Sequence, residues 1–187
     1  KNIAPQLKSN LDLDSDAFLK NKEMMLEKID HLNSLLDEAE LGGGQYHLDR
    51  LAARGKMPVR QRIKNLLDPD TPFLEISPYA AYGTTYTVGG GCVAGIGLVA
   101  DKERVIFAND PSVLGGAMTV YVQEKWMRCI QIARENRIPF INFVESAGAD
   151  LRGATADTSQ NLVRQLQYPH FADSGRSFYE MTELSKL

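Results

Sequence analysis

Met25, Ile29, Leu32, Leu36 and Ala39 recur at spacings of three and four, which predicts a long helix over residues 14–40. Asp14, Ser15 and Asp16 offer N-cap chemistry and the negative charge that suits a helix start. Gly42-Gly43-Gly44 ends the pattern. Asp37, Glu38 and Glu40 sit at the end the macrodipole disfavours, so packing is expected to hold this helix. A second helix is predicted over 45–53 and broken by Arg54-Gly55-Lys56. Pro58 introduces a third over 59–67, with Ile63, Leu66 and Leu67 on one side. Asp68-Pro69-Asp70-Thr71-Pro72 is turn chemistry.

The period then changes. Phe73 to Ile76 reads as a short strand, and 84–91 as a Gly-rich loop. Cys92 to Val99 is a strand pattern interrupted by Gly95 and Gly97. Residues 101–103 read as a turn, and Arg104 to Ala108 as the second arm of an antiparallel hairpin. After Gly115-Gly116, a helix is predicted over 118–136, with Val122, Trp126, Cys129, Ile130 and Ala133 as its apolar face. Ile138 to Val144 is nearly all apolar and suits a strand covered on both faces. A final helix is expected from about Asp173 or Ser174, with Phe178, Met181 and Leu184 on one face. Strand–strand–helix followed by strand–loop–helix indicates a layered α/β domain. Residues 1–41 are read as an arm and long helix, and 42–187 as the main domain. With Lys1 at one end and no stop signal near Leu187 at the other, a longer parent chain is expected.

Composition narrows the function classes. The chain has 187 residues, 43% hydrophobic and 24% charged, with a formal net charge of −3. That balance points away from nucleic acid and anionic membranes as partners. No apolar run approaches the ~20 residues that span a bilayer. Cys92 and Cys129 show neither metal-ligand spacing nor a disulfide framework, so a reduced compartment is the simpler reading.

Conventional catalytic groups are thin. His31, His47 and His170 have no plausible metal ligand at a useful spacing, and no metal is expected in this chain. Ser146 lacks the G-x-S-x-G frame of a nucleophile elbow. Gly89-Gly90-Gly91 lacks the Lys-Ser/Thr that completes a P-loop. What remains is backbone, at two places where a strand ends in small residues: 109–117, with Gly115-Gly116, and 144–149. Such turns let a ligand approach main-chain N–H groups, which can hold a developing oxyanion. They equally permit tight strand–helix packing, and spacing alone leaves both readings open.

A resemblance separates them. Val144-Glu145-Ser146-Ala147-Gly148-Ala149 resembles the V-[ED]-S-G-G-A segment of the carboxyltransferase (β) subunits of biotin-dependent acyl-CoA carboxylases, the propionyl-CoA, methylcrotonoyl-CoA and long-chain types. The stretch Ala108-Asn109-Asp110-Pro111-Ser112-Val113-Leu114-Gly115-Gly116 is similar to that family's A-N-D-x-T-V-x-G-G. Upstream, Arg54-Gly55-Lys56 with Arg60, Arg62-Ile63 and Leu66-Leu67-Asp68-Pro69 resembles R-G-K…R-x-R-I…L-L-D-P. Gly89-Gly90-Gly91 with Gly95-Ile96-Gly97 looks like G-G-G-x-x-x-G-I-G, and Gly175-Arg176-Ser177-Phe178-Tyr179 like G-R-x-F-Y. The blocks run in order from about Gly42 to Leu187.

The resemblance implies a crotonase-like fold of ββα units. It also implies transfer of a carboxyl group from carboxybiotin to the α-carbon of an acyl-CoA, through an enolate held by backbone N–H groups. These map to Ala147 and Gly148, with Gly115, Gly116, Ala117, Ser146 and Ala149 lining the substrate site. Released biotin is implied as acceptor of the α-proton, consistent with the lack of a side-chain base. Biotin would ride on a biotin carboxylase or carboxyl-carrier partner, and β subunits would form a homo-oligomer in the cytoplasm, or in the mitochondrial matrix of a eukaryote. The second, C-terminal domain of the family lies outside this sequence. Ala147 departs from the usual glycine, which matters if that position needs positive φ. Asp150-Leu151 replaces an Arg found in some members, and Arg152 to Pro169 matches poorly and reads as a loop near the acyl site. A biotin-dependent decarboxylase subunit and a non-catalytic CoA-binding or assembly module are the alternatives.

Overall fold

In the computed structural model, which describes residues 9–150 and 175–187, the elements are α1 (Asp16–Leu41), α2 (Gln45–Ala52), α3 (Val59–Leu66), β1 (Phe73–Glu75), β2 (Cys92–Val99), β3 (Lys102–Asn109), α4 (Val120–Asn136), β4 (Phe140–Phe143) and α5 (Arg176–Leu184). The sequence readings at Leu151, Arg152 to Pro169, His170, Asp173 and Ser174 lie outside the described residues. The chain forms two compact units, Lys1–Leu35 and Leu36–Leu187.

In the first unit, Ser15 caps α1, its hydroxyl accepting from the Phe18 N–H at 3.3 Å. In the second, α1 stops at Gly42, whose φ of 54° suits a residue without Cβ.

The second unit is built on a four-stranded sheet in the order β1-β2-β3-β4. The hairpin pairs antiparallel from Cys92↔Asn109 to Val99↔Lys102, and β4 joins β3 parallel. Period-two alternation sorts the side chains onto two faces. Cys92, Ala94, Val105 and Phe107 pack with Val122, Cys129 and Ala133 of α4. Val93, Ile106 and Ala108 pack with Val59 and Ile63 of α3. Burial pushes the Cys92 thiol up to about 11 and the Cys129 thiol up to about 12, so both behave as core residues.

Gly95 and Gly97 lie on the α3 face and make room there. A Cβ at Gly95 would stand 2.3 Å from the Phe73 ring, and one at Gly97 2.3 Å from Leu67 Cδ2. The glycines therefore admit the side chains that seat α3 and β1 against the sheet.

Three expectations are corrected. The hairpin turn is not 101–103 but Ala100-Asp101, with φ of 54° and 59°, so β3 begins at Lys102. Two successive left-handed residues make the tight hairpin reversal. The Asp68 carboxylate accepts both turn N–H groups, from Ala100 at 2.8 Å and Asp101 at 2.7 Å. Residues 114–116 form a separate 3-10 turn, and α4 starts at Val120 behind Thr119, whose hydroxyl accepts from the Val122 N–H at 3.3 Å. Finally, β4 ends at Phe143, and Val144 is 72% exposed. Among the described residues β4 pairs only with β3, so its side chains are half-buried.

Candidate active-site loops

Two loops leave the same end of the parallel pair β3–β4, and their small residues let them touch. After β3, residues 114–116 turn through three successive positive φ values, 52°, 65° and 73°. Leu114 adopts that conformation despite its side chain, whereas Gly115 and Gly116 suit it. Gly116 also has no room for a Cβ, which would stand 2.0 Å from the Glu145 carbonyl oxygen. The buried Asn109 side chain fixes this turn by donating to the Gly116 carbonyl at 3.2 Å.

The second loop runs from Val144 to Asp150 beside the first. The Ala147 N–H donates to the Gly115 carbonyl at 3.1 Å, the Met118 N–H to the Gly148 carbonyl at 2.8 Å, and the Asp150 N–H to the Met118 carbonyl at 3.2 Å. Met118 and Ala149 thus form a short parallel bridge. The structure brings Gly115, Gly116, Ser146, Ala147, Gly148 and Ala149 to one place, with Ala117 next to the bridge.

The amides do not present two open donors side by side. The Ala147 N–H is engaged in joining the loops. The Gly148 N–H donates to the Ser146 hydroxyl at 3.1 Å, in an exposed position. Gly148 has φ of 97°, and a Cβ there would meet nothing within 4 Å among the described residues. Ala147 stands outside the left-handed region. Its methyl group therefore carries no backbone strain, and it lies 3.4 Å from where a Cβ on Gly115 would stand.

Sequence reasoning did not foresee what grips the loop. Glu145 accepts from Lys56 Nζ at 2.5 Å through Oε1 and pairs with Arg62 at 2.5 Å through Oε2. The Lys56 hydrogen bond, ahead of that from Arg62, holds the Glu145 carboxyl below the usual carboxylate range. Arg60, between them in sequence, turns away and forms a two-pronged pair with Glu75 at 2.8 and 3.0 Å. The R-G-K…R-x-R block carried the signal, but its partner is 83–89 residues away along the chain. Tyr86 of the Gly-rich loop also reaches the site, its hydroxyl 3.4 Å from Asp150 Oδ2. A separate cleft of about 700 Å³ is lined by Arg60, Lys64, Leu67, Asp70 and Phe73, among others, and by no residue of the two loops.

Against known proteins, the carboxyl transferase domain family matches residues 50–185. A probable biotin-dependent acyl-coenzyme A carboxylase beta2 subunit of Mycobacterium tuberculosis is 42% identical over 179 residues, 96% of this chain and 31% of that protein. A probable mitochondrial methylcrotonoyl-CoA carboxylase beta chain of Drosophila melanogaster is 36% identical over 183 residues, 96% of this chain and 30% of that one. Among solved structures, the beta subunit of P. aeruginosa geranyl-CoA carboxylase superposes with a TM-score of 0.71 at 31% identity, covering 87% of this chain and 31% of that subunit. The chain thus spans under a third of the length of these relatives.

Proposed function

The chain belongs to the carboxyl transferase domain family, with the α/β, crotonase-like fold of that group, and from that premise we propose that its full-length protein is the carboxyltransferase component of a biotin-dependent acyl-CoA carboxylase. In this reading residues 1–41 are an arm, and 42–187 are the N-terminal carboxyltransferase domain.

The observation that carries the reading is the loop pair. It sets an exposed main-chain N–H, that of Gly148, at a glycine where a Cβ would meet no described residue within 4 Å, and a rotatable hydroxyl, that of Ser146, accepts from it. A thioester carbonyl oxygen arriving there displaces the Ser146 hydroxyl and takes the Gly148 N–H. As the α-carbon becomes nucleophilic, negative charge collects on that oxygen, and a donor already in place stabilises it more than it stabilises the neutral carbonyl. Ala147 contributes from its place in the same turn, its amide keeping Gly148 in register through Gly115. Gly115, Gly116, Ala117, Ser146 and Ala149 shape the wall. Carboxybiotin, delivered by a biotin carboxylase or carboxyl-carrier partner, would supply the carboxyl group, and the biotin nitrogen freed by its loss would take up the α-proton. A homo-oligomer would complete the site, in the cytoplasm or, in a eukaryote, the mitochondrial matrix. No helix among the described residues is long and apolar enough to cross a membrane.

The test is carboxylation of an acyl-CoA series by the full-length protein with its biotinylated partner, read as incorporation of labelled bicarbonate. Incorporation into at least one acyl-CoA is expected. Binding of an acyl-CoA without any incorporation would contradict the enzyme reading.

A further inference from the structure

We propose that Glu145 is a positioning residue, its carboxylate gripped by Lys56 and Arg62 so that the following turn, Ser146 to Gly148, holds the Gly148 N–H at one fixed place. The kinetic part of this proposal rests on the carboxyltransferase reading; the structural part does not.

Each carboxylate oxygen has its own cation, and each cation has its own anchor. Lys56 Nζ takes Oε1, while the Lys56 backbone N–H caps α2 by donating to the Leu51 carbonyl at 3.0 Å. Arg62 takes Oε2, while its Nε donates to the Met57 carbonyl at 2.9 Å. Two cations set by different backbone segments fix both the position and the rotation of the carboxylate, which a single pair does not do.

The Glu145 carbonyl also packs against Gly116, where a side chain would otherwise be. Immediately downstream, the turn is held by main-chain bonds, the Ala147 N–H to the Gly115 carbonyl and the Met118 N–H to the Gly148 carbonyl, and the Glu145 carboxylate adds a side-chain anchor at its start. Ser146, Ala147, Gly148 and Ala149 are exposed, and among the described residues the Gly148 N–H donates to the Ser146 hydroxyl. The Glu145 grip is thus the nearest side-chain anchor upstream of the donor. An isolated surface ion pair stabilises a fold little. This one joins the α2–α3 junction to a loop of small residues, so its consequence lies in the placement of that loop. Catalysis is sensitive to such placement, because a misplacement of about 1 Å can cost on the order of 10²-fold in rate.

The test uses the full-length protein with its biotinylated partner, and compares Glu145→Gln, Lys56→Gln and Lys56→Arg with the parent. Steady-state carboxylation and amide hydrogen exchange across 144–150 are both measured. Expected for the two Gln variants is a fall in kcat of about tenfold or more, with the acyl-CoA KM little changed. Faster exchange confined to 144–150 should accompany it, and Lys56→Arg, which keeps the charge, should restore most of the rate. Unchanged kcat with unchanged exchange would overturn the proposal. So would a loss of kcat, KM and melting temperature together while exchange across 144–150 stays at the parent rate. Lys56 is nearly half-exposed, at 46% of its side chain, so Lys56→Gln carries the test if Glu145→Gln does not fold. If the parent itself carboxylates no acyl-CoA, the carboxyltransferase reading fails, and the exchange measurement still decides whether Glu145 positions the loop.

Discussion

At the scale of single residues, the proposed function gives Ser146 a hydrogen-bonding role rather than a nucleophilic one. The Ser146 hydroxyl accepts from the Gly148 N–H. Ser146→Ala removes one exposed neutral hydrogen bond, worth ~0.5–1.5 kcal/mol, so kcat should stay within about tenfold of the parent. Loss of a nucleophilic serine costs on the order of 10⁶. Steady-state kinetics of the full-length variant separates the two. The departure of Ala147 from the family's glycine is explained at the same scale. Glycine is required at Gly148, where φ is 97°, but not at Ala147, which lies outside the left-handed region.

At the scale of elements, glycines decide how the sheet is covered. Gly95 and Gly97 face Phe73 and Leu67 at distances that leave no space for a Cβ. Gly95→Val forces its side chain into the Phe73 ring, so it should destabilise the fold by about 1–3 kcal/mol, as overpacking does. Chemical denaturation of the variant measures this. The helices and the hairpin were legible in the sequence, because Met25 to Ala39, Val122 to Ala133 and Cys92 to Val99 carry clear periods. The hairpin turn was misplaced because Ala100 is an unusual residue for a left-handed turn position. The Asp68 carboxylate that stabilises it lies more than thirty residues upstream. Val144 read as strand because it is apolar, but no second strand is described beside β4, and the chain turns out at Glu145. The backbone of the candidate site was legible as two strand ends that run into small residues, 109–117 and 144–149. Its ion-pair grip was not, since Lys56, Arg62 and Glu145 are brought together by the packing of α3 against the sheet.

At the scale of the whole molecule, the Glu145 grip should appear as a pH dependence of stability. Its carboxyl is held below the ordinary value of 4.5, chiefly by the Lys56 hydrogen bond. A depressed folded-state value means that the unfolded chain takes up the proton first as pH falls. The stabilisation is therefore complete above 4.5 and is lost as pH drops through the folded-state value. The stability difference between the parent and Glu145→Gln, from denaturant titrations, should shrink as pH is lowered below 4.5. A constant difference down to the acid limit would deny the grip its charge. In the proposed function the two loops present the Gly148 N–H to a thioester oxygen. This is tested most directly by a structure of the full-length protein with an acyl-CoA bound. That oxygen is expected at about 2.7–3.1 Å from the Gly148 nitrogen, with the Ser146 hydroxyl rotated away. An acyl-CoA seated with its thioester remote from Gly148, and the Ser146 hydroxyl still on that N–H, would contradict it.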